Sequence, residues 1–114
     1  MAIRILIVED EALVALDLAT QMEDLGHEVV GPAHSVEQAM PLAEGEALDF
    51  ALLDINLRGR QSTPVAQALI ARGIPLVFLS GYDSPQMVED LGAVRVLPKP
   101  VQPRTLGQLL SEVA

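Results

Sequence analysis

The sequence has no cysteine, which excludes a disulfide framework, a thiolate metal site and a cysteine nucleophile together. Basic residues are scarce: 7 Lys and Arg stand against 16 Asp and Glu, a formal charge of −9. Neutralising nucleic-acid phosphates needs a basic footprint, so direct nucleic-acid binding is not expected. No apolar run approaches the roughly 18 residues of a membrane span. Met1-Ala2-Ile3-Arg4 leads straight into a strand-like segment, with no signal-peptide pattern. A cytoplasmic chain without a membrane partner is the expectation, and an acidic surface points to a cation or a protein partner.

What is present is apolar: 50% of 114 residues, enough for a sizeable core in a single domain spanning 1–114. The run Phe50-Ala51-Leu52-Leu53-Asp54 ends on a carboxylate before Arg58 and Gly59. A short apolar run between turn signals suits a strand buried on both faces of a parallel sheet. Asp54 then stands at the strand's C-terminal end, outside which open α/β sheets bind ligands.

Ile3 to Val8 predicts a first strand, closed by Glu9-Asp10. Over Glu11 to Leu25, Leu13, Leu16, Ala19, Met22 and Leu25 recur at three-residue steps beside Ala12, Ala15 and Leu18, a helical stripe that Gly26 ends. His27 to Ala33 predicts a second strand. Ser35, with Gln38 three residues on, caps a helix to Glu46 that Pro41 weakens. After the central strand and an Arg58-Gly59-Arg60-Gln61 loop, a helix is expected from about Ser62 to Arg72, with Pro64 in its first turn. Pro75 to Ser80 predicts a fourth strand, Gly81 to Pro85 a loop, and the residues to about Leu91 a short helix. Ala93 to Leu97 predicts the last strand before Pro98-Lys99-Pro100. A final helix to Val113 turns Leu106, Leu109, Leu110 and Val113 inward. Such alternation marks a doubly wound parallel sheet.

Four of these strands stop on polar groups: Glu9-Asp10, Asp54, Ser80 and Lys99. Singly each has a bland reading, since a strand-end Asp is usually a cap or turn residue, Ser before Gly a turn, and Lys between prolines solvated. Together they line one sheet edge with three carboxylates, a hydroxyl and an ammonium. Close carboxylates repel by roughly a kcal/mol or more per pair at an effective dielectric of about 20, which calls for a cation. Oxygen ligands with retained water suit Mg²⁺. A carboxylate beside that metal, facing an ammonium and a hydroxyl, is a cradle for phosphoryl transfer with Asp as nucleophile.

These motifs, with Leu53-Asp54-Ile55-Asn56, Phe78-Leu79-Ser80-Gly81 and Lys99-Pro100, resemble the response-regulator receiver domain of two-component signalling over the whole chain. The resemblance implies a flavodoxin-like, doubly wound five-stranded parallel sheet of order 2-1-3-4-5 with five helices. It implies Asp54 as phosphoacceptor, and Mg²⁺ on Asp10, Asp54 and the Asn56 carbonyl, with Glu9 acting through water. Ser80 and Lys99 would bind the phosphoryl group, with a cis Lys99–Pro100 bond. The stretch Pro75 to Tyr82 resembles receivers with a Phe-Ala-Thr-Gly-Tyr-like fourth strand, often paired with HWE-type histidine kinases; Leu79 and Ser80 depart from that pattern.

Where many receivers carry an aromatic three residues before the Lys, this chain has Val96. Tyr82 is therefore the expected alternative, as a switch residue or as a lid over the site. His27 and His34 are expected to be structural or surface residues away from the acidic edge. The functional expectation is a receiver that takes its phosphoryl group from a histidine kinase or histidine phosphotransfer protein. It would present a changed face to a downstream protein, with only self-phosphorylation and self-dephosphorylation as chemistry. Met1 and the closing helix favour a stand-alone receiver over one cut from a hybrid kinase. A haloacid-dehalogenase-like phosphatase is the rival from another class; it usually carries Asp where Asn56 stands.

Overall fold

The computed structural model describes residues 2–80 and 95–113. In chain order the elements are β1 (Arg4–Val8), α1 (Ala12–Asp24), β2 (Glu28–Ala33), α2 (Val36–Gly45), β3 (Phe50–Asp54), β4 (Asn56–Leu57), β5 (Arg60–Gln61), α3 (Thr63–Ala71), β6 (Leu76–Ser80), β7 (Arg95–Pro98) and α4 (Pro103–Val113). Five strands form one sheet in the order β2-β1-β3-β6-β7, every neighbouring pair parallel. Setting aside the small hairpin β4–β5, this is the expected 2-1-3-4-5 order. Four helices lie among the described residues; the helix expected near 85–91 and the start of the last strand fall outside them. Among the described residues no helix is long and apolar enough to cross a membrane.

Side chains alternate across a strand, and here that alternation builds two cores. Leu6 and Val8, Ala51 and Leu53, and Leu76 and Phe78 pack with residues of α2 and α3. Ile5 and Ile7, Phe50 and Leu52, and Val77 and Leu79 pack with residues of α1 and α4. Both faces of the sheet are thus covered, which is why β3 and β6 are buried at every position.

Two local readings change. In α1 the buried residues are Ala15, Leu18, Ala19 and Met22, whereas Leu13 is 82% and Leu16 61% exposed. A three-residue step falls short of a full helical turn by about 60°, so the five residues Leu13 to Leu25 wind roughly 240° around the axis and cannot share a face. The predicted loop over 58–61 is a two-residue hairpin turn between β4 and β5 with its closing strand. The helix expected across Pro41 forms: Pro41 is exposed, as is Glu37, the residue whose carbonyl loses its i+4 hydrogen bond to the proline. The Ser35 cap forms as expected, with the Gln38 N–H donating to Ser35 Oγ at 3.1 Å.

Gly31 in β2 is required by its backbone. Its φ is +93°, and a Cβ there would come within 2.8 Å of Ala33 N. It lies where the β1–β2 register slips between Leu6 and Val8.

Candidate phosphoacceptor site

The parallel register assembles the site. Val8 pairs with Leu53 and Asp54 with Leu79, while Ser80 pairs with Pro98, so each strand delivers its next residue to the same edge. Lys99 N–H donates to the Ser80 carbonyl at 2.9 Å, which fixes the start of the Lys99 turn beside β6. The Lys99–Pro100 peptide is cis, as expected.

Lys99 Nζ donates to both oxygens of Glu9, at 3.0 and 3.1 Å, and to Asp54 Oδ2 at 3.0 Å. Glu9, Asp54 and Ser80 are buried, which is unusual for polar residues and explains the tight pairing. One carboxylate oxygen from each of Glu9, Asp10 and Asp54 lies within 4.8 Å of the others. A cavity of about 360 Å³ opens onto the group, lined by Asp10, Asp54, Asn56, Ser80 and Lys99 among others. Glu9, Asp10, Asp54, Asn56, Ser80 and Lys99 therefore reach one place.

Burial pushes the Glu9 carboxyl up from 4.5 to about 7, reinforced by Asp54 and opposed by Lys99. Burial alone would lower the Lys99 ammonium, but its hydrogen bonds and charge pairing with Asp54 and Glu9 outweigh that and raise it. Lys99 therefore stays protonated between the two carboxylates. Three hard oxygen donors around an open, roomy cavity fit a small divalent cation that keeps some of its water.

Two contacts escaped the sequence reading. His34 Nδ1 lies 3.0 Å from the Glu9 carbonyl oxygen, so this histidine does stand at the acidic edge. The signal was its place one residue after β2, legible only once β2 is known to flank β1. Asp10 Oδ2 accepts a hydrogen bond from the Arg58 N–H at 3.1 Å. His27, as expected, is structural: its Nδ1 accepts the Ile3 N–H at 3.2 Å, away from the site. Tyr82 lies outside the described residues. Val96 is partly buried against the core under α2 and α3.

Residues 5–111 match the family model described as the response regulator receiver domain. The transcriptional regulatory protein PdtaR of Mycobacterium tuberculosis is 36% identical over 101 residues, 85% of this chain and 49% of that protein. The phyllosphere-induced regulator PhyR of Methylorubrum extorquens is 33% identical over 116 residues, 98% of this chain and 43% of its own. This chain thus spans about half the length of the curated relatives it matches. Among solved structures, a CheY-like receiver domain protein from Methanospirillum hungatei superposes with a TM-score of 0.86 at 29% identity, covering 98% of this chain and 93% of that one.

Proposed function

Because the chain belongs to the response regulator receiver domain family, we propose that it accepts a phosphoryl group from a phosphohistidine onto Asp54 and so changes its protein-binding face. The observation that carries this reading is the shared Lys99 ammonium, 3.0 Å from Asp54, at the mouth of a cavity that also meets Ser80. An Asp54 oxygen attacks phosphorus as the P–N bond breaks. The electron pair of that bond stays on the histidine nitrogen, which takes up a proton, and Asp54 becomes an acyl phosphate. Lys99 offsets charge on the transferred group and the Ser80 hydroxyl donates to one of its oxygens. Water attack at phosphorus breaks the bond between phosphorus and the Asp54 oxygen, releasing inorganic phosphate and the free carboxylate; the phosphorylated state itself is the output, so we read the protein as a signalling receiver and not as a conventional enzyme.

Glu9, Asp10, Asp54 and the Asn56 carbonyl would hold Mg²⁺, Glu9 through water. When bound, the ion supplies the positive charge that three carboxylates and a phosphoryl group together require.

The phosphodonor would be a histidine kinase, of the HWE type by the fourth-strand motif, or a histidine phosphotransfer protein. Leu13 and Leu16 support a protein partner here: they are exposed on α1, and Leu13 lines a cavity of about 430 Å³ with Leu79, Lys99 and Pro100. The cytoplasm is the proposed setting, without a membrane as direct partner, and a charge of −9 argues against direct nucleic-acid binding. A downstream protein would read the phosphorylated face.

Intact-mass spectrometry after acetyl phosphate and Mg²⁺ tests the assignment. A phosphoryl-sized gain should appear on the wild type, vanish with hydroxylamine and be absent from Asp54→Asn. Labelling that survives in that variant, or that maps to Ser80, would overturn it.

A further inference from the structure

The acidic cluster is held from outside by a strained turn. Asp10 is only partly buried, and Lys99 contacts Glu9 and Asp54 but not Asp10. What holds the Asp10 carboxylate is the backbone N–H of Arg58, 3.1 Å from Oδ2, donated across 48 residues of sequence. Arg58 and Gly59 form the two-residue turn of the β4–β5 hairpin, with φ of +54° and +82°. Positive φ at both central positions marks a type I′ turn, which strongly prefers Asn or Gly and disfavours a long side chain at the first position. The hairpin is anchored on three sides: Leu57 is buried in the core, the Ser62 N–H donates to the Ile55 carbonyl, and Arg60 pairs with Glu37 of α2. A turn so fixed presents its amide to Asp10 at a set position.

We propose that the Arg58–Gly59 turn positions Asp10 for the cation, the Arg58 amide acting as a backbone clamp that sets Mg²⁺ affinity. A carboxylate has about four acceptor sites, so one bond at Oδ2 leaves capacity for a cation while stopping the group from swinging into solvent. Groups that orient metal ligands are worth about 10- to 100-fold in affinity. The inference rests on the reading of the acidic cluster as a Mg²⁺ site.

The variant Gly59→Val tests it. Beyond its two chain neighbours, no atom lies within 4 Å of a Cβ built at Gly59, so a Cβ there meets open space and its cost is the strain of a β-branched residue at a φ of +82°. Gly73→Val is the control, with a φ of +71° and equally open surroundings in the turn after α3. Mg²⁺ affinity from thermal shift and amide NMR should fall about tenfold in Gly59→Val and hold in Gly73→Val. Arg58→Gly, which keeps the amide and relieves the strain, should bind Mg²⁺ as tightly as the wild type or more so. In metal-free protein, exchange of the Arg58 amide should be slow and should speed up in Asp10→Ala. Unchanged affinity in Gly59→Val, weakened binding in Arg58→Gly, or exchange indifferent to Asp10 would each overturn the clamp alone. A wild type that does not bind millimolar Mg²⁺ would defeat the site reading beneath it as well.

Discussion

Lys99 Nζ rests 3.0 Å from Asp54 Oδ2, although 45 residues separate the two in sequence. The same ammonium holds Glu9 at 3.0 Å, so two buried carboxylates depend on one cation. Removing one partner of such a group leaves uncompensated charge and costs about 3 kcal/mol. Lys99→Ala should therefore lose stability of that order in metal-free urea unfolding. Mg²⁺ should recover more stability in this variant than in the wild type, and Asp54 should still label while the conformational response is lost. A variant as stable as the wild type without metal would show that Lys99 is not the charge partner.

Glu9, Asp10 and Asp54 bring three carboxylate oxygens within 4.8 Å. Mg²⁺ at a hundredfold excess over its dissociation constant should then stabilise the fold by about 2.7 kcal/mol. Asp10→Ala should abolish that gain while leaving the metal-free protein equally or more stable, because it removes repulsion at a partly exposed position. A melting temperature unmoved by millimolar Mg²⁺ in the wild type would contradict the assignment.

Much of this site was legible because a continuous apolar run and the polar residue that ends it are local signals: Asp54 and Ser80 each end a wholly buried run. The contacts that were not legible depend on sheet order. His34 reaches Glu9 only because β2 lies beside β1, and the Glu9 N–H donates to the Ala33 carbonyl at 2.9 Å. The Arg58 turn was read as loop because its first central residue is not the Asn or Gly that usually announces such a hairpin. In α1 the apolar residues outnumber the positions facing the core, so composition alone could not separate Leu18, which is buried, from Leu13, which is not.

That last distinction is measurable. Leu18 is 2% exposed and packs under the sheet with Ile5 and Leu106 in the same cluster. Leu18→Ala should cost about 2–5 kcal/mol. Leu13→Ser, at 82% exposure, should change stability by no more than about 0.5 kcal/mol, though it should weaken transfer from a protein phosphodonor if that face is a docking surface. Equal losses in the two variants would restore the three-residue stripe.

The Glu9 carboxyl gives stability a pH dependence whose sign follows from its environment. Burial, reinforced by Asp54, raises it from 4.5 to about 7, so over that interval the folded protein holds a proton that the unfolded chain has released. Stability rises with pH only where the unfolded state binds more protons, and here the folded state binds more. The contribution of Glu9 is therefore fully present below about pH 4.5 and is lost as pH rises through about 7. Other carboxylates act over the same range, so the informative quantity is the difference between the wild type and Glu9→Gln, measured by urea unfolding in chelator. Glu9→Gln keeps the shape and much of the hydrogen bonding without the ionisation, and its stability should gain on the wild type steadily from pH 4.5 to 7. Parallel curves would mean that Lys99 alone neutralises Glu9 at every pH, and that burial leaves its carboxyl where a solvated one would be.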